Sequence, residues 1–142
     1  MSIQKNSARM VWKGEGLDFQ GSVGSGYSFD VSGGADKSGG GPMEFLLAGV
    51  AGCTAIDVVL ILQKQRQNIT GVEVEASGVR AQQDPKFYTD VEILYIVRGE
   101  DIDQQAVERA ISLSEEKYCS ASNMFVRAGV NMHSTYRIES SD

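Results

Sequence analysis

The chain has 142 residues, of which 42% are hydrophobic and 23% are charged, and this size and composition fit one globular domain. Its formal net charge of -6 argues against a nucleic-acid partner, because binding to a phosphate backbone needs clustered Lys and Arg. The longest apolar run, Ala55 to Leu62, is interrupted by Asp57 and is too short to span a bilayer. Residues 1–10 lack the apolar core of a secretory signal, so we expect a soluble, cytoplasmic protein.

The N-terminal part of the chain predicts three short strands. Apolar residues alternate over residues 8–13, 17–20 and 27–31, and glycines separate these segments, as in a three-stranded meander. Residues 32–41 contain no apolar side chain larger than alanine and predict a loop. This loop lacks the Gly-Lys-Ser/Thr ending of a phosphate-binding loop, so we do not expect it to bind phosphate.

A long apolar helix is predicted from residue 42 to residue 67. Pro42 suits the first turn of a helix, where its missing N–H has no cost. Nearly every residue from Phe45 to Leu62 is apolar, which predicts a central helix covered on most of its faces. Cys53 lies near the middle of this helix.

The C-terminal half predicts a hairpin followed by helices and a last strand. Period-two alternation over residues 72–79 and 87–97 indicates two paired strands. Asp103 is expected to cap a second helix that continues to about Lys117. A short third helix over residues 120–127 and a strand over 130–138 complete the order β-β-β-α-β-β-α-α-β. Because strands are grouped, this order predicts an α+β fold with mostly antiparallel pairing.

The two cysteines, Cys53 and Cys119, allow three interpretations. A free cysteine often serves only as a small buried hydrophobe. A structural disulfide across their separation of 66 residues would stabilise the fold by about 4 kcal/mol through chain entropy, but persistent disulfides are rare in the cytosol. We therefore favour a third interpretation, a reactive pair that forms a transient bond.

Two motifs around these cysteines resemble a known family. One is Gly41-Pro42-Met43-Glu44 with Cys53 eleven residues after the proline, and the other is the run Glu115-Glu116-Lys117-Tyr118-Cys119-Ser120-Ala121-Ser122. Together they resemble the OsmC/Ohr family of osmotically induced and organic-hydroperoxide-resistance proteins, within it a YhfA-like branch. The resemblance covers nearly the whole chain. It implies a single OsmC-like domain over residues 1–142, with a meander and glycine-rich loop in 1–41 and the remaining elements in 42–142.

The resemblance also implies an assembly and a chemistry. The fold would form an intertwined homodimer in which sheets wrap the central helices, with active sites at the interface. Cys53 would be the peroxidatic thiol and Cys119 the resolving thiol, in the reduction of small organic hydroperoxides. An external dithiol would reduce the resulting disulfide, and no cofactor would be needed. Met43, Phe45 and Met124 are the expected apolar pocket residues.

The match to the family fails at the group that activates the reactive cysteine. Family members that reduce hydroperoxides place a glutamate directly after the proline, where it holds an arginine from an earlier loop, whereas this chain has Met43. Glu44 is nine residues before Cys53 and falls on the opposite side of an ideal helix. No arginine occurs between Arg9 and Arg66. The candidate cations that remain are Arg9, Lys13 and Lys37.

Further residues near the cysteines are candidates for supporting roles. Asp57 is one turn after Cys53 and faces the same side of the helix, although a carboxylate alone disfavours a thiolate. Lys117 and a helix N-terminus both adjoin Cys119, which gives the hypothesis that Cys119 is the more acidic thiol and that the family roles are inverted.

Three other features are expected to have no catalytic part. His133 lies in an alternating strand and is expected to be structural, and Ser122 is expected to tie down a helix start. No metal site is expected, because there is one histidine and no C-x-x-C motif.

Two functions of different classes follow. The first is a thiol-dependent peroxidase that acts on organic hydroperoxides in oxidative stress defence. The alternative is a non-catalytic protein of the same fold that binds a small apolar ligand, having lost the activating Glu/Arg pair. A third possibility, a disulfide-linked structural dimer, predicts thiols that never cycle.

Overall fold

The computed structural model describes residues 3–34 and 39–140. The chain divides into two compact units between Leu46 and Leu47, within its longest helix. The elements in chain order are β1 (Ala8–Trp12), β2 (Asp18–Val23), β3 (Ser28–Ser32), α1 (Pro42–Lys64), β4 (Asn68–Arg80), β5 (Tyr88–Glu100), α2 (Gln104–Leu113), a π-helical turn (Ser114–Tyr118), α3 (Ser120–Arg127) and β6 (Asn131–Ser140). The predicted order of strands and α-helices is confirmed.

The N-terminal unit is the predicted meander. β1, β2 and β3 form an antiparallel sheet in that order. Gly21 lies opposite Phe29, and a Cβ at Gly21 would come within 2.7 Å of the Phe29 ring, so the pairing needs glycine there. The Phe29 ring also lies 5.1 Å from that of Phe45, measured between centroids. Part of the predicted loop over residues 32–41 lies outside the described residues.

The second unit contains a sheet of order β4-β5-β6. β4 and β5 form the predicted antiparallel hairpin, with Val72 opposite Val97. β6 pairs with β5 in parallel, for example Val91 with Met132, because α2, the π-helical turn and α3 together form the crossover between them. Pairing between the described strands is therefore mostly antiparallel, as predicted, and β5–β6 is the parallel pair.

Helix α1 is covered on only one side by this chain. Its buried residues recur at every fourth position, which defines a single stripe: Val50, Thr54, Val58 and Leu62. Ile56 and Leu60 are 64% and 50% exposed. Only this stripe is fully buried within the single chain, so the expectation that most faces of the helix are covered stays a prediction that depends on a second copy. The helix also ends at Lys64 rather than at residue 67, and Arg66 follows in the left-handed region at φ 58°.

Among the described residues, α1 is also the one helix whose length and composition would allow it to cross a bilayer. Its 18-residue apolar window has a mean hydropathy of 2.4. This window is longer than the run from Ala55 to Leu62, because it also includes apolar and small residues that precede Ala55. The core helix of a soluble protein passes the same test, so this property alone is weak support for a membrane span.

The segment before Cys119 differs from the prediction. Asp103 caps α2 as expected, with its Oδ1 accepting a hydrogen bond of 3.0 Å from the Gln105 N–H. The helix does not continue to Lys117 in α geometry but changes at Ser114 to a π-helical turn. The Cys119 N–H donates to the Ser114 carbonyl at 2.6 Å, and the backbone of Cys119 is then extended. This wider turn places Cys119 at the start of α3.

Candidate functional site

The structure brings the two cysteines together. Cys53 lies in the middle of α1 and is half-buried, whereas Cys119 is fully buried at the N-cap of α3. Both thiols are free. They are close enough that Cys53 contributes to the pKa of Cys119. Two residues 66 positions apart in sequence thus form one thiol pair within the second unit.

Local hydrogen bonds fix the position of Cys119. Its Sγ accepts from the Ser122 N–H at 3.3 Å, and its carbonyl accepts from the Ser122 hydroxyl at 3.4 Å and from Asn123 Nδ2 at 2.8 Å. Asn123 Nδ2 also donates to the Glu115 carbonyl at 3.0 Å. Ser122 therefore ties down the helix start, as predicted, and holds the Cys119 sulfur as well.

The pKa of Cys119 is raised above its ordinary value. Burial is the largest cause, and the neighbouring Cys53 adds to it, while the hydrogen bonds from Ser122 act in the opposite direction. The helix start does favour the thiolate, but burial outweighs it. The raised pKa argues against the hypothesis that Cys119 is the more acidic thiol and that the roles of the cysteines are inverted. The Lys117 ammonium, which was expected to acidify Cys119, lies 5.3 Å from the centre of the Tyr118 ring.

A chain of polar side chains lies beside the thiol pair. The Ser114 hydroxyl donates to Asp57 Oδ2 at 2.9 Å and lies 2.8 Å from Thr54 Oγ1. Thr54 Oγ1 lies 2.9 Å from the Tyr95 hydroxyl, which lies 2.6 Å from Glu115 Oε2. We call this series, Asp57–Ser114–Thr54–Tyr95–Glu115, the hydroxyl row. It links α1, β5 and the π-helical turn.

The three hydroxyls of the row are buried, whereas its two carboxyl ends are half-buried. Tyr95 is fully buried, and burial together with its hydrogen bond to Glu115 raises the pKa of the phenol far above its ordinary value. The phenol therefore keeps its proton across the physiological pH range. Glu115 Oε2 accepts a second hydrogen bond of 2.5 Å from the Ser134 hydroxyl.

The predicted supporting residues divide between the two units. In the second unit, Asp57 belongs to the hydroxyl row. In the N-terminal unit, Glu44 Oε1 accepts from the Gly41 N–H at 2.8 Å, which caps the start of α1. Met43 is half-buried, and Phe45 is 38% exposed. Their expected role in a pocket stays a prediction.

The candidate activating cations gain no described contact with a thiol. Lys13 Nζ pairs with Asp30 Oδ1 at 2.7 Å within the N-terminal sheet. Arg9 is exposed on β1, and Lys37 lies outside the described residues.

Met124 and Lys117 line a shallow depression of about 340 Å³ that also includes Cys119, and Met124 is 72% exposed there. His133 is exposed on β6 and lines another depression, of about 370 Å³, together with Glu75 and Glu92. Within residues 3–34 and 39–140, no three His, Cys, Asp or Glu side chains are grouped so as to hold a metal ion.

The sequence did not reveal three residues of this site. Thr54 and Ser114 are 60 residues apart, and Thr54 and Tyr95 are 41 apart, so no local pattern connects them. Tyr95 occupies an apolar position of an alternating strand. The one available signal was a polar threonine within the apolar run of α1, directly after Cys53.

A protein-family model matches most of this chain. The model described as "OsmC-like protein" matches residues 34–135. Protein YhfA of Escherichia coli (strain K12) is 40% identical over 131 residues, which is 92% of this chain and 96% of that protein.

Solved structures also match along nearly the whole chain. A hypothetical protein from Aquifex aeolicus VF5 is 27% identical, with a TM-score of 0.87 over 99% of this chain and 100% of that one. An organic hydroperoxide resistance protein from Elizabethkingia anophelis is 16% identical, with a TM-score of 0.75 over 97% and 99% of the two chains. The second match shows a shared fold.

Proposed function

The chain belongs to the OsmC-like protein family, and from that premise we propose that it is a thiol-dependent peroxidase that reduces organic hydroperoxides. Cys53 is the nucleophile and Cys119 the resolving thiol. The observation that supports this most directly is the pairing of the two free thiols across 66 residues of sequence. The name of the Elizabethkingia relative, an organic hydroperoxide resistance protein, supports the choice of substrate class.

The reaction has two steps. The Cys53 thiolate attacks one oxygen of the hydroperoxide, the O–O bond breaks, and a proton joins the departing alkoxide, which gives Cys53 sulfenic acid and an alcohol. The Cys119 sulfur then attacks the Cys53 sulfur, which forms the disulfide and releases water. An external dithiol returns both cysteines to thiols by disulfide exchange. The protein's own residues supply all the groups that react with the peroxide.

The surroundings of the two thiols support this division of roles. Cys53 is half-buried and therefore open to a substrate, whereas Cys119 is fully buried. Burial raises the pKa of Cys119, which keeps it a thiol until a sulfenic acid forms beside it. A thiol with these properties is suited to resolving a neighbour rather than to attacking a peroxide from solution.

The test is the rate of thiol loss after the reduced protein is mixed with cumene hydroperoxide or hydrogen peroxide. We expect rapid loss of both thiols into an intramolecular disulfide, faster with the organic peroxide. In Cys119→Ser, Cys53 should stop at a sulfenic acid that a dimedone probe traps, whereas Cys53→Ser should give no trapped product. Loss no faster than that of a free cysteine, or sulfenic acid only on Cys119, would reject the proposal.

A second candidate function rests on the absence of the glutamate and arginine that would activate the reactive cysteine. The chain has Met43 where hydroperoxide reductases of the family place a glutamate, and Lys13, a candidate substitute cation, pairs with Asp30 instead. A protein without an activated thiolate could retain the fold as a binder of a small apolar ligand. Thiols that react no faster than free cysteine, together with an apolar molecule that co-purifies and is identified by mass spectrometry, would favour this function.

The protein is further proposed to work in the cytosol as a homodimer. Ile56 and Leu60 expose apolar surface on α1, and a second copy of the chain is the occupant that an intertwined dimer would place there. Sedimentation equilibrium of the reduced protein should give twice the chain mass of 15.4 kDa. A monomer at micromolar concentration would exclude this assembly.

A further inference from the structure

The number of protons in the hydroxyl row does not match its number of contacts. Four oxygen–oxygen contacts of 2.6 to 2.9 Å join the five side chains from Asp57 to Glu115. Each of the three hydroxyls supplies one proton, and an ionised carboxylate supplies none. Three protons are therefore available for four contacts when both terminal carboxyls are ionised. One contact would then hold two oxygens at hydrogen-bond distance with no hydrogen between them.

A fourth proton removes this conflict. If Asp57 carries it, every hydrogen bond points from Asp57 towards Glu115, and each hydroxyl donates once and accepts once. If Glu115 carries it, every bond points the other way. Both arrangements place a hydrogen in each of the four contacts, including the 2.8 Å contact between the buried hydroxyls of Thr54 and Ser114.

The charges nearby offer no other solution. Within residues 3–34 and 39–140, none of the ion pairs includes Asp57 or Glu115. Ser134 adds a donor at Glu115, but it stands outside the row and contributes nothing to the four contacts. Both carboxyl ends are half-buried, so each can exchange a proton with solvent.

We propose that the hydroxyl row holds a fourth proton in the reduced protein, shared between Asp57 and Glu115, and that reversal of the three hydroxyls carries it between the two ends. The row adjoins both thiols. Asp57 follows Cys53 by one helical turn, and Cys119 lies near enough to Tyr95 to contribute to its raised pKa. A proton that moves along the row is therefore available on either side of the thiol pair.

The consequence for catalysis rests on the proposed peroxidase function. As the Cys53 thiolate attacks, the O–O bond breaks and the departing alkoxide takes up one proton to become the alcohol. The row supplies that proton, and its half-buried ends recover one from solvent before the next turnover. Asp57, Ser114, Thr54, Tyr95 and Glu115 then act as one proton-holding group, in a family member that lacks the glutamate and arginine of its relatives.

Infrared spectroscopy of the reduced protein near neutral pH tests the proton itself, without any peroxide. We expect the C=O stretching band of a neutral carboxylic acid in the wild type. Thr54→Val leaves two separate contacts, Tyr95 to Glu115 and Ser114 to Asp57, which need only the two hydroxyl protons, so the band should vanish. Ser134→Ala removes a hydrogen bond to the same carboxyl but keeps all four contacts, so the band should remain.

A second variant keeps the test decisive if Thr54→Val folds poorly. Ser114→Ala leaves only the contacts from Thr54 to Tyr95 and from Tyr95 to Glu115, and it too should abolish the band. Isotope labelling of aspartate or of glutamate carboxyls with carbon-13 shows which end holds the proton. Absence of a carboxylic acid band in the wild type would overturn the proposal, and so would a band that survives both Thr54→Val and Ser114→Ala.

The rate of thiol oxidation tests separately whether the proton of the hydroxyl row takes part in catalysis. With cumene hydroperoxide, Thr54→Val should lose its thiols at least about tenfold more slowly than Ser134→Ala, because proton transfer in the transition state is lost. Equal rates in the two variants would refute the catalytic consequence. If the wild type shows the carboxylic acid band but its thiols do not react with peroxide, the fourth proton is supported and the proposed peroxidase function is rejected.

Discussion

Two tyrosines of this protein make the same hydrogen bond in different surroundings, and this allows a sharp test of what the hydroxyl row contributes to stability. The Tyr95 hydroxyl donates to Glu115 Oε2 at 2.6 Å, and the Tyr136 hydroxyl donates to Glu108 Oε2 at 2.6 Å. Tyr95 is fully buried, whereas the bond of Tyr136 is exposed. Phe at either position keeps the ring and removes only the hydroxyl.

The expected cost of Tyr95→Phe follows from its partners. The phenol loses a bond to a carboxyl, worth about 1.5–3 kcal/mol when that group is ionised, and a bond to a neutral hydroxyl, worth about 1 kcal/mol. Thr54 keeps Ser114 and Glu115 keeps Ser134, so no buried atom is orphaned. We therefore expect Tyr95→Phe to lower the free energy of unfolding by about 2.5–4 kcal/mol.

Urea unfolding of the reduced wild type and both variants, at one protein concentration, measures these differences. Tyr136→Phe should leave the midpoint almost unchanged, because water replaces an exposed hydrogen bond with little loss. Equal effects of the two substitutions would refute the reasoning, since Tyr95 differs from Tyr136 in its burial and in its second contact, with Thr54. A change in the slope of unfolding with urea would instead reveal a change in the unfolded state.

The raised pKa of Tyr95 predicts that the free energy of unfolding depends on pH differently in the wild type and in Tyr95→Phe. Burial, followed by the hydrogen bond to Glu115, raises the pKa of Tyr95 above its ordinary value of 10.0. Above about pH 10 the unfolded chain releases this proton while the folded protein retains it, so folding becomes less favourable as the pH rises. The wild type should lose up to about 1.4 kcal/mol per pH unit from this group, a loss that Tyr95→Phe lacks. Parallel pH profiles would contradict this assignment.

Three further predictions concern other parts of the chain. In Cys53→Ser, alkylation of Cys119 by iodoacetamide should begin at a higher pH than alkylation of free cysteine, because burial raises the pKa of Cys119; matching pH profiles would be the contrary result. Gly78→Ala should destabilise the fold by about 1–3 kcal/mol in urea, because its Cβ would lie 2.6 Å from the Tyr88 ring, whereas Gly71→Ala, with 3.8 Å to its nearest neighbour, should have little effect. Ile56→Asp should shift the sedimentation equilibrium from dimer to monomer, and an unchanged mass would exclude this face from the interface.

Local patterns were enough to predict most of the fold. The meander, α1 and the β4–β5 hairpin follow from alternation or helical periodicity that lies within each element. The predicted end of α2 was wrong because the π-helical turn that begins at Ser114 depends on contacts with α1, which are distant in sequence. The parallel pairing of β6 was not predicted individually, since the choice of partner strand depends on residues about 40 positions away.

The candidate site was predictable only in part. Cys53 and Cys119 were interpreted as a reactive pair from the residues alone, the resemblance implied their separate roles, and the structure places the two thiols near each other. The same resemblance showed that Met43 stands where hydroperoxide reductases of the family would have a glutamate. The hydroxyl row was not visible, because Thr54, Ser114 and Tyr95 are individually ordinary residues of helices and strands. Their significance arises from distances that only the folded chain defines.

Tyr95→Phe should change both the stability of the fold and the number of protons in the hydroxyl row, so one variant tests both. Without its hydroxyl, the row keeps only the contacts from Thr54 to Ser114 and from Ser114 to Asp57, and two hydroxyl protons fill them. Tyr95→Phe should therefore lose the carboxylic acid band while it loses stability. A variant that unfolds more easily but keeps the band would show that the phenol stabilises the fold without taking part in a shared proton, because two contacts no longer require one.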